Sequence, residues 1–139
     1  METPLRWHSR LATYCKALSR LSQVVLLHSQ RKLSEYETDS LIKRFEFTYE
    51  MAWKLLMSYE KDNGIQNIMG SRDVVRHAVA LNIIGNSDAW MDMIDARNRT
   101  SHLYDEDMAV DVVDEVVFTY YPLLQELQET MTIKARREV

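Results

Sequence analysis

Apolar side chains recur along most of the chain at spacings of three and four residues, the spacing that places them on one face of a helix. A first amphipathic helix is predicted from about Leu5 to Leu27. Its apolar stripe consists of Leu11, Tyr14, Cys15, Leu18, Leu21 and Val25. The polar segment that follows, from Gln30 to Glu37, is predicted to be a loop.

The second predicted helix runs from about Asp39 to Asp62, with Thr38 or Asp39 as its N-cap. Its stripe consists of Leu41, Phe45, Tyr49, Ala52, Trp53, Leu56 and Tyr59, and it is widened by Ile42, Phe47, Met51 and Leu55. A helix this apolar is expected to be central, and part of it is expected to face a second copy of the chain. Asn63 and Gly64 tolerate the left-handed conformation and are predicted to end it.

Two shorter helices are predicted in the second half of the chain. The third begins at Ser71 and ends near Leu81. The fourth begins after a cap at Ser87 or Asp88 and ends near His102.

The last predicted helix starts from a cap at Asp105 and contains a break. Its stripe consists of Met108, Val112, Val116, Tyr120, Leu124 and Leu127. Pro122 lies inside this pattern and should kink or divide the helix, because proline lacks a backbone donor. Together the segments predict an all-α, up-and-down bundle of four or five helices, in one domain covering residues 1–139.

Composition agrees with this picture and narrows the function. Three glycines and two prolines are too few for the turns of an all-β fold. The net charge of −4 excludes a general polyanion binder, so any contact with nucleic acid requires a local basic patch. The N-terminal residues do not resemble a signal peptide, and no apolar run approaches the roughly 20 residues that span a bilayer. The expected location is the cytoplasm, without membrane contact.

The segment from Arg97 to Tyr104 concentrates chemically useful side chains. Asn98 and His102 are four residues apart, so on a helix they would share one face. Arginine binds phosphate with two parallel hydrogen bonds, and histidine exchanges protons near neutral pH. These groups suit metal-independent cleavage of RNA, in which a base activates the 2′-hydroxyl and a cation stabilises the phosphoryl oxygens. A polar helix end without catalytic function is the alternative that spacing alone favours.

Other polar groups near this segment have simpler interpretations. Asp92, Asp95, His102, Asp105 and Asp107 match no metal-ligand spacing, so neither a metal nor a cofactor is expected. Arg72 and Arg76, one turn apart, form a basic ridge that could contact phosphate but is more often a solvated face.

Several strings, in one order along nearly the whole chain, resemble the nucleotidyltransferase substrate-binding proteins of the HEPN superfamily. They are Arg44-Phe45-Glu46-Phe47-Thr48-Tyr49-Glu50-Met51-Ala52-Trp53-Lys54, Ser71-Arg72-Asp73-Val74-Val75-Arg76, Trp90-Met91-Asp92-Met93-Ile94-Asp95-Ala96-Arg97-Asn98, Ser101-His102 and Tyr104-Asp105-Glu106. The family mark of Arg, a polar residue and a later His corresponds to Arg97, Asn98 and His102. Tyr104 occupies the place of the tyrosine found in the HepT toxin branch.

The resemblance implies a HEPN-like helical bundle that forms a homodimer and a hetero-oligomer with a minimal nucleotidyltransferase of the MntA type, encoded nearby. If this chain is a HepT-like ribonuclease toxin, Arg97 and His102 would be its catalytic residues, and Asn98 would support His102. The partner, acting as antitoxin, would transfer AMP to Tyr104. Arg99 and Thr100 would be spacers. Because acidic residues surround the motif, the RNA site should be narrow or selective.

The resemblance also leaves a second function open. The same groups could hold a nucleotide or an RNA end for a separate nucleotidyltransferase, with no cleavage by this chain. Cleavage of RNA by the purified protein without its partner would identify the toxin. A tight complex with the nucleotidyltransferase and no cleavage would identify the non-catalytic binding subunit.

Overall fold

The computed structural model describes residues 6–100 and 106–138. In these ranges the chain forms α1 (Arg6–Gln30), α2 (Glu35–Asp62), α3 (Ser71–Ala80), α4 (Ser87–Thr100), α5 (Glu106–Glu115) and α6 (Tyr121–Arg137), with a π-helical segment (Val116–Tyr120) between α5 and α6. No strand occurs in the part described, and the predicted all-α bundle is confirmed. Since α5, the π segment and α6 are continuous, they correspond to the fifth helix predicted from the sequence.

Helix α2 is central, as its apolar circumference predicted. It contacts α1 along much of its length and also packs on α3, α4 and α5. Phe45, Leu55 and Leu56 are completely buried. The Phe45 ring stacks on Tyr120 of the π segment, with centroids 5.8 Å apart. One helix therefore supplies apolar surface to most of the bundle, which is why its sequence is apolar on several sides.

The start of α2 differs from the prediction. The helix begins four residues earlier than expected, at Glu35, and its N-cap is Ser34 rather than Thr38 or Asp39. The Ser34 hydroxyl accepts a hydrogen bond from the Glu37 backbone N–H (3.1 Å), and the Glu37 carboxylate accepts one from the Ser34 N–H (2.8 Å). This reciprocal capping box satisfies two helix-end donors, so the polar segment forms the first helical turn instead of a loop.

Neighbouring charges reinforce that capping box. Both oxygens of the Glu37 carboxylate accept hydrogen bonds from the Arg31 guanidinium, at 2.7 and 2.6 Å. The hydrogen bond from Arg31, followed by the one from the Ser34 backbone, lowers the pKa of Glu37 to about 2. Glu37 therefore stays ionised and keeps capping well into the acid range.

The other helix boundaries depend on short polar side chains and glycine. The predicted end of α2 is confirmed: Asn63 is the C-cap, and Gly64 has a φ of +88°. The N-cap of α4 is one residue earlier than predicted, because the Asn86 side chain accepts from the Ala89 N–H at 3.0 Å.

The predicted discontinuity near Pro122 takes the form of a π turn. The Tyr121 N–H donates to the Val116 carbonyl five residues earlier, so the chain gains one residue per turn just before the proline. Pro122 follows as the second residue of α6, so the irregular turn lies where proline removes a backbone donor. The buried Tyr14 hydroxyl of α1 donates to the Leu124 carbonyl at 2.6 Å and connects α6 to the bundle.

The apolar side chains lie on faces of the helices and do not form a long continuous apolar segment in the sequence. No helix in the described ranges is both long and apolar enough to cross a membrane.

Candidate functional site

Arg97 lies in the last turn of α4 and faces two glutamates of α2. Its Nη1 is 3.8 Å from Oε2 of Glu46, and its Nε is 3.6 Å from Oε1 of Glu50. Both distances exceed those of direct hydrogen bonds. The Nε atom is itself buried and makes no hydrogen bond to any of the described residues. The two carboxylates thus oppose the single guanidinium charge without holding it in tight hydrogen-bonded pairs.

Local packing explains this arrangement. The neighbouring Ala96 is completely buried and holds the α4 backbone against the bundle. Glu46 and Glu50 are four residues apart, so they extend from the same side of α2. The Trp53 Nε1–H donates to Oε2 of Glu50 at 3.0 Å and limits the movement of that carboxylate.

Arg97 lines an open groove of about 400 Å³ between α1, α2 and α4, which we call the Arg97 groove. It is lined by Ala17, Arg20, Lys43, Arg44, Glu46, Phe47, Glu50 and Arg97. Four of these residues are cationic and two are anionic, in a protein with a net charge of −4. The groove is therefore a local basic patch, the kind of surface that the net charge requires for any contact with a polyanion.

A second and larger groove, of about 1170 Å³, shares Lys43 and Glu46 with the first. It includes Thr100, the last described residue of α4. The two grooves therefore meet along α2, and the second reaches the end of α4 at Thr100.

The structure describes some of the predicted site residues and not others. Asn98 is exposed on α4, next to Arg97. His102 and Tyr104 lie outside the described residues, as do Ser101 and the predicted end of α4 near His102. The roles of Asn98, His102 and Tyr104 remain predictions, as does the catalytic role of Arg97.

The end of α4 is attached to the rest of the bundle by residues that the sequence treated as spacers. Arg99 donates to Oε2 of Glu115 at 3.0 Å, and the Tyr120 hydroxyl donates to the same oxygen at 3.1 Å. Burial, followed by the Glu115 charge, raises the pKa of Tyr120 to about 12, so it remains a donor. Thr100 is buried, and its hydroxyl donates to the Arg97 carbonyl at 2.6 Å. Arg99 and Thr100 are thus structural contacts that position this helix end.

The ridge of Arg72 and Arg76 does not reach the Arg97 groove. Arg72 instead forms an ion pair with Asp95 of α4 at 2.6 Å. This pair also occupies one of the carboxylates considered for a metal site, and the described residues contain no cluster suited to a metal ion. The contact supports the interpretation of these charges as an exposed helix face.

Sequence reasoning missed the residues that surround Arg97. Glu46 and Glu50 were part of the family-like string but were assigned no role, and Arg20 and Lys43 were not considered. Phe47 was assigned only to the widened apolar stripe of the second helix. One signal was available: two glutamates four residues apart, on a helix that is otherwise apolar on several sides. Which helix they face is a tertiary property that the spacing does not contain.

Comparison with known proteins bears on the origin of this site. The family model described as nucleotidyltransferase substrate binding protein like matches residues 9–133. The chain belongs to this family. A probable ribonuclease HepT of Haemophilus influenzae is 30% identical over 95 residues, which are 63% of this chain and 65% of that protein. The match thus spans slightly less than two thirds of that relative's length.

Solved structures of similar proteins have the same fold as this chain. A Haemophilus influenzae structure, described as the fold of a substrate binding domain of a nucleotidyltransferase, is 26% identical with a TM-score of 0.80 and covers 88% of this chain and 98% of its own. A tri-AMPylated Shewanella oneidensis HEPN toxin, solved in complex with an MNT antitoxin, is 22% identical with a TM-score of 0.74. That superposition covers 95% of this chain and 99% of the toxin. The predicted HEPN-like bundle is confirmed.

Proposed function

We propose that this protein is the HepT-like component of a toxin–antitoxin pair, a metal-independent endoribonuclease that a partner minimal nucleotidyltransferase neutralises. The observation that carries the proposal is the position of Arg97, in a positively charged groove and at 3.6–3.8 Å from its carboxylate neighbours. A guanidinium held this loosely can exchange a carboxylate for the phosphate of RNA. Family membership and the ribonuclease name of the Haemophilus influenzae relative support the same conclusion.

The proposed chemistry divides proton transfer and charge stabilisation between two residues. His102 takes the proton of a ribose 2′-hydroxyl, and the 2′-oxygen attacks the adjacent phosphorus. The bond from phosphorus to the 5′-oxygen breaks, and this leaving oxygen takes up a proton. Arg97 donates hydrogen bonds to the phosphoryl oxygens as negative charge accumulates on them, and Asn98 orients His102.

Tyr104 is the proposed point of control. Its phenolic oxygen attacks the α-phosphorus of ATP on the partner enzyme, and pyrophosphate leaves. The bound AMP adds a negatively charged phosphate two residues from His102, where it competes with RNA for Arg97. The AMPylation and antitoxin complex of the Shewanella oneidensis neighbour support this part of the proposal.

The proposed working form is a cytoplasmic homodimer of one-domain chains that binds the nucleotidyltransferase. Exposed apolar side chains support an interface: Leu26 of α1 is 59% exposed, Val110 of α5 54% and Phe118 of the π segment 69%. Such surface is often covered by a partner chain. Sedimentation at micromolar concentration should show a dimer.

Cleavage of RNA by the purified protein tests the activity. Cutting should persist in a chelator, because no metal participates. His102→Ala should abolish it, and Arg97→Lys should reduce kcat by about 10²-fold or more, since the paired donors are lost. His77→Ala and Arg136→Lys make the same two changes outside the groove and should retain activity. A requirement for divalent metal, or full activity in His102→Ala, would refute the mechanism.

Mass spectrometry after co-expression with the nucleotidyltransferase tests the control. With ATP present, the intact mass should increase by whole AMP units, and Tyr104→Phe should remove this increase. Tyr36→Phe changes a tyrosine that is 85% exposed on α2 and serves as the control. AMP that remains on Tyr104→Phe would place the modification elsewhere.

The non-catalytic binding subunit remains the second candidate. The description of the Haemophilus influenzae structure as a substrate binding domain of a nucleotidyltransferase favours it. It predicts a tight complex with the nucleotidyltransferase and no cleavage of RNA by the free protein at any concentration.

A further inference from the structure

Arg97 cannot make its groove positive by itself. Glu46 and Glu50 lie within 4 Å of its guanidinium, at 3.8 and 3.6 Å, so two negative charges oppose one positive charge. The excess of positive charge comes from three cations contributed by α1 and α2. These are Arg20, Lys43 and Arg44.

Two of those three cations are available to a ligand. Arg44 is engaged, because its Nη1 donates to the Arg20 carbonyl at 2.7 Å and to Oε1 of Gln23 at 3.1 Å. Arg20 and Lys43 are exposed, and within the described residues their side chains form no hydrogen bond or ion pair. Their charges therefore face the solvent of the groove.

An aromatic ring accompanies these free cations. Phe47 is one helical turn after Lys43, lines the same groove and is 53% exposed. Exposed aromatic rings interleaved with cations are typical of surfaces that bind single-stranded nucleic acid, where bases stack and phosphates are neutralised. The groove volume of about 400 Å³ is in the range of sites for small ligands, about 300–1,000 Å³.

We propose that the Arg97 groove binds one nucleotide of single-stranded RNA adjacent to the cleaved bond. The base of this nucleotide stacks on Phe47, and Lys43 and Arg20 bind its phosphate. This subsite rests on the proposed ribonuclease function, and it makes the enzyme selective for unpaired RNA because a base inside a duplex has no free face for Phe47.

The test uses a labelled single-stranded oligonucleotide whose riboses are 2′-O-methylated, so that it binds but cannot be cut. Lys43→Gln should weaken binding about fivefold at low salt and reduce the slope of log affinity against log salt by about 0.7. Phe47→Leu should weaken binding about tenfold and leave that slope unchanged. Lys61→Gln removes a lysine on α2 about 27 Å along the helix from Lys43, more than twice the Debye length of about 10 Å at 0.1 M salt. At that salt it should leave binding unchanged.

The outcomes separate this proposal from the ribonuclease function. Wild-type affinity in both groove variants overturns the subsite. So does a Phe47→Leu protein that keeps its affinity but sediments as a smaller species, because Phe47 then contacts a second copy. If both variants cleave unmodified RNA with the KM of the wild type, the subsite is refuted and the ribonuclease function is retained. Binding that depends on the groove, in a protein that does not cut RNA, supports the subsite and refutes the ribonuclease.

Discussion

Replacing Glu60 with glutamine should make the protein's stability less sensitive to a rise in pH from 5 to 7.5. Glu60 lies near the end of α2 and is completely buried, and neither carboxylate oxygen accepts a hydrogen bond from the residues that the structure describes. Burial, with a smaller contribution from the Asp73 charge, raises the pKa of Glu60 from 4.5 to about 8. The carboxyl is therefore protonated in the folded protein at neutral pH.

The direction of the pH effect follows from proton binding in the two states. Between the ordinary pKa of 4.5 and the folded pKa of about 8, the unfolded chain releases the proton and the folded chain retains it. The stability associated with the neutral Glu60 is complete below the lower value and is lost as pH rises to the upper one. At 1.36 kcal/mol per pKa unit, the loss between pH 5 and pH 7.5 is about 3 kcal/mol.

Denaturant unfolding of the wild type and Glu60→Gln from pH 5 to 7.5 measures this loss. The glutamine is neutral throughout, so its free energy of unfolding should rise relative to the wild type by about 3 kcal/mol across the range. Any unpaired hydrogen-bonding groups of the new amide change the free energy of unfolding by the same amount at every pH. They therefore do not affect its slope against pH. Glu126→Gln, on the exposed side of α6, controls for the loss of one negative charge. A difference between the two glutamine variants that does not change with pH would refute the reasoning.

Two further substitutions test the contacts that hold the bundle together. Tyr14→Phe removes the buried hydrogen bond to the Leu124 carbonyl and should lower the free energy of unfolding by about 1 kcal/mol; calorimetry showing no decrease would contradict that contact. Ser34→Ala removes one half of the capping box and should lower the free energy of unfolding by about 1 kcal/mol. Amide hydrogen exchange in the first turn of α2 should become faster. Ser29→Ala, at an exposed position of α1, serves as the control. Unchanged exchange in that turn would show that the cap contributes nothing.

The sequence alone was sufficient for the helical architecture. Spacings of three and four residues identify a buried face because 3.6 residues per turn bring those side chains together, whatever they pack against. The breadth of the stripe on α2 predicted its central position, and Pro122 predicted the break that became a π turn. The N-terminus of α2 was missed although Ser34 and Glu37 carry the capping-box pattern, since a polar run was given more weight than cap chemistry.

The site was predicted only in part, because its components are distant in the chain. Arg97 was identified from its neighbours in sequence and from the family resemblance. The glutamates that oppose its charge come from α2, about 50 residues earlier, and the cations that make its groove positive come from α1 and α2.

Local spacing determined which residues form helices and which faces are buried, since both depend on interactions within a few residues. Tertiary structure decided that Arg97 meets two carboxylates and that Arg44 is engaged. It also decided that Lys43 and Glu60 have no hydrogen-bond partner among residues 6–100 and 106–138. These properties depend on distances between helices, and such distances are set by packing of the whole bundle rather than by any one segment.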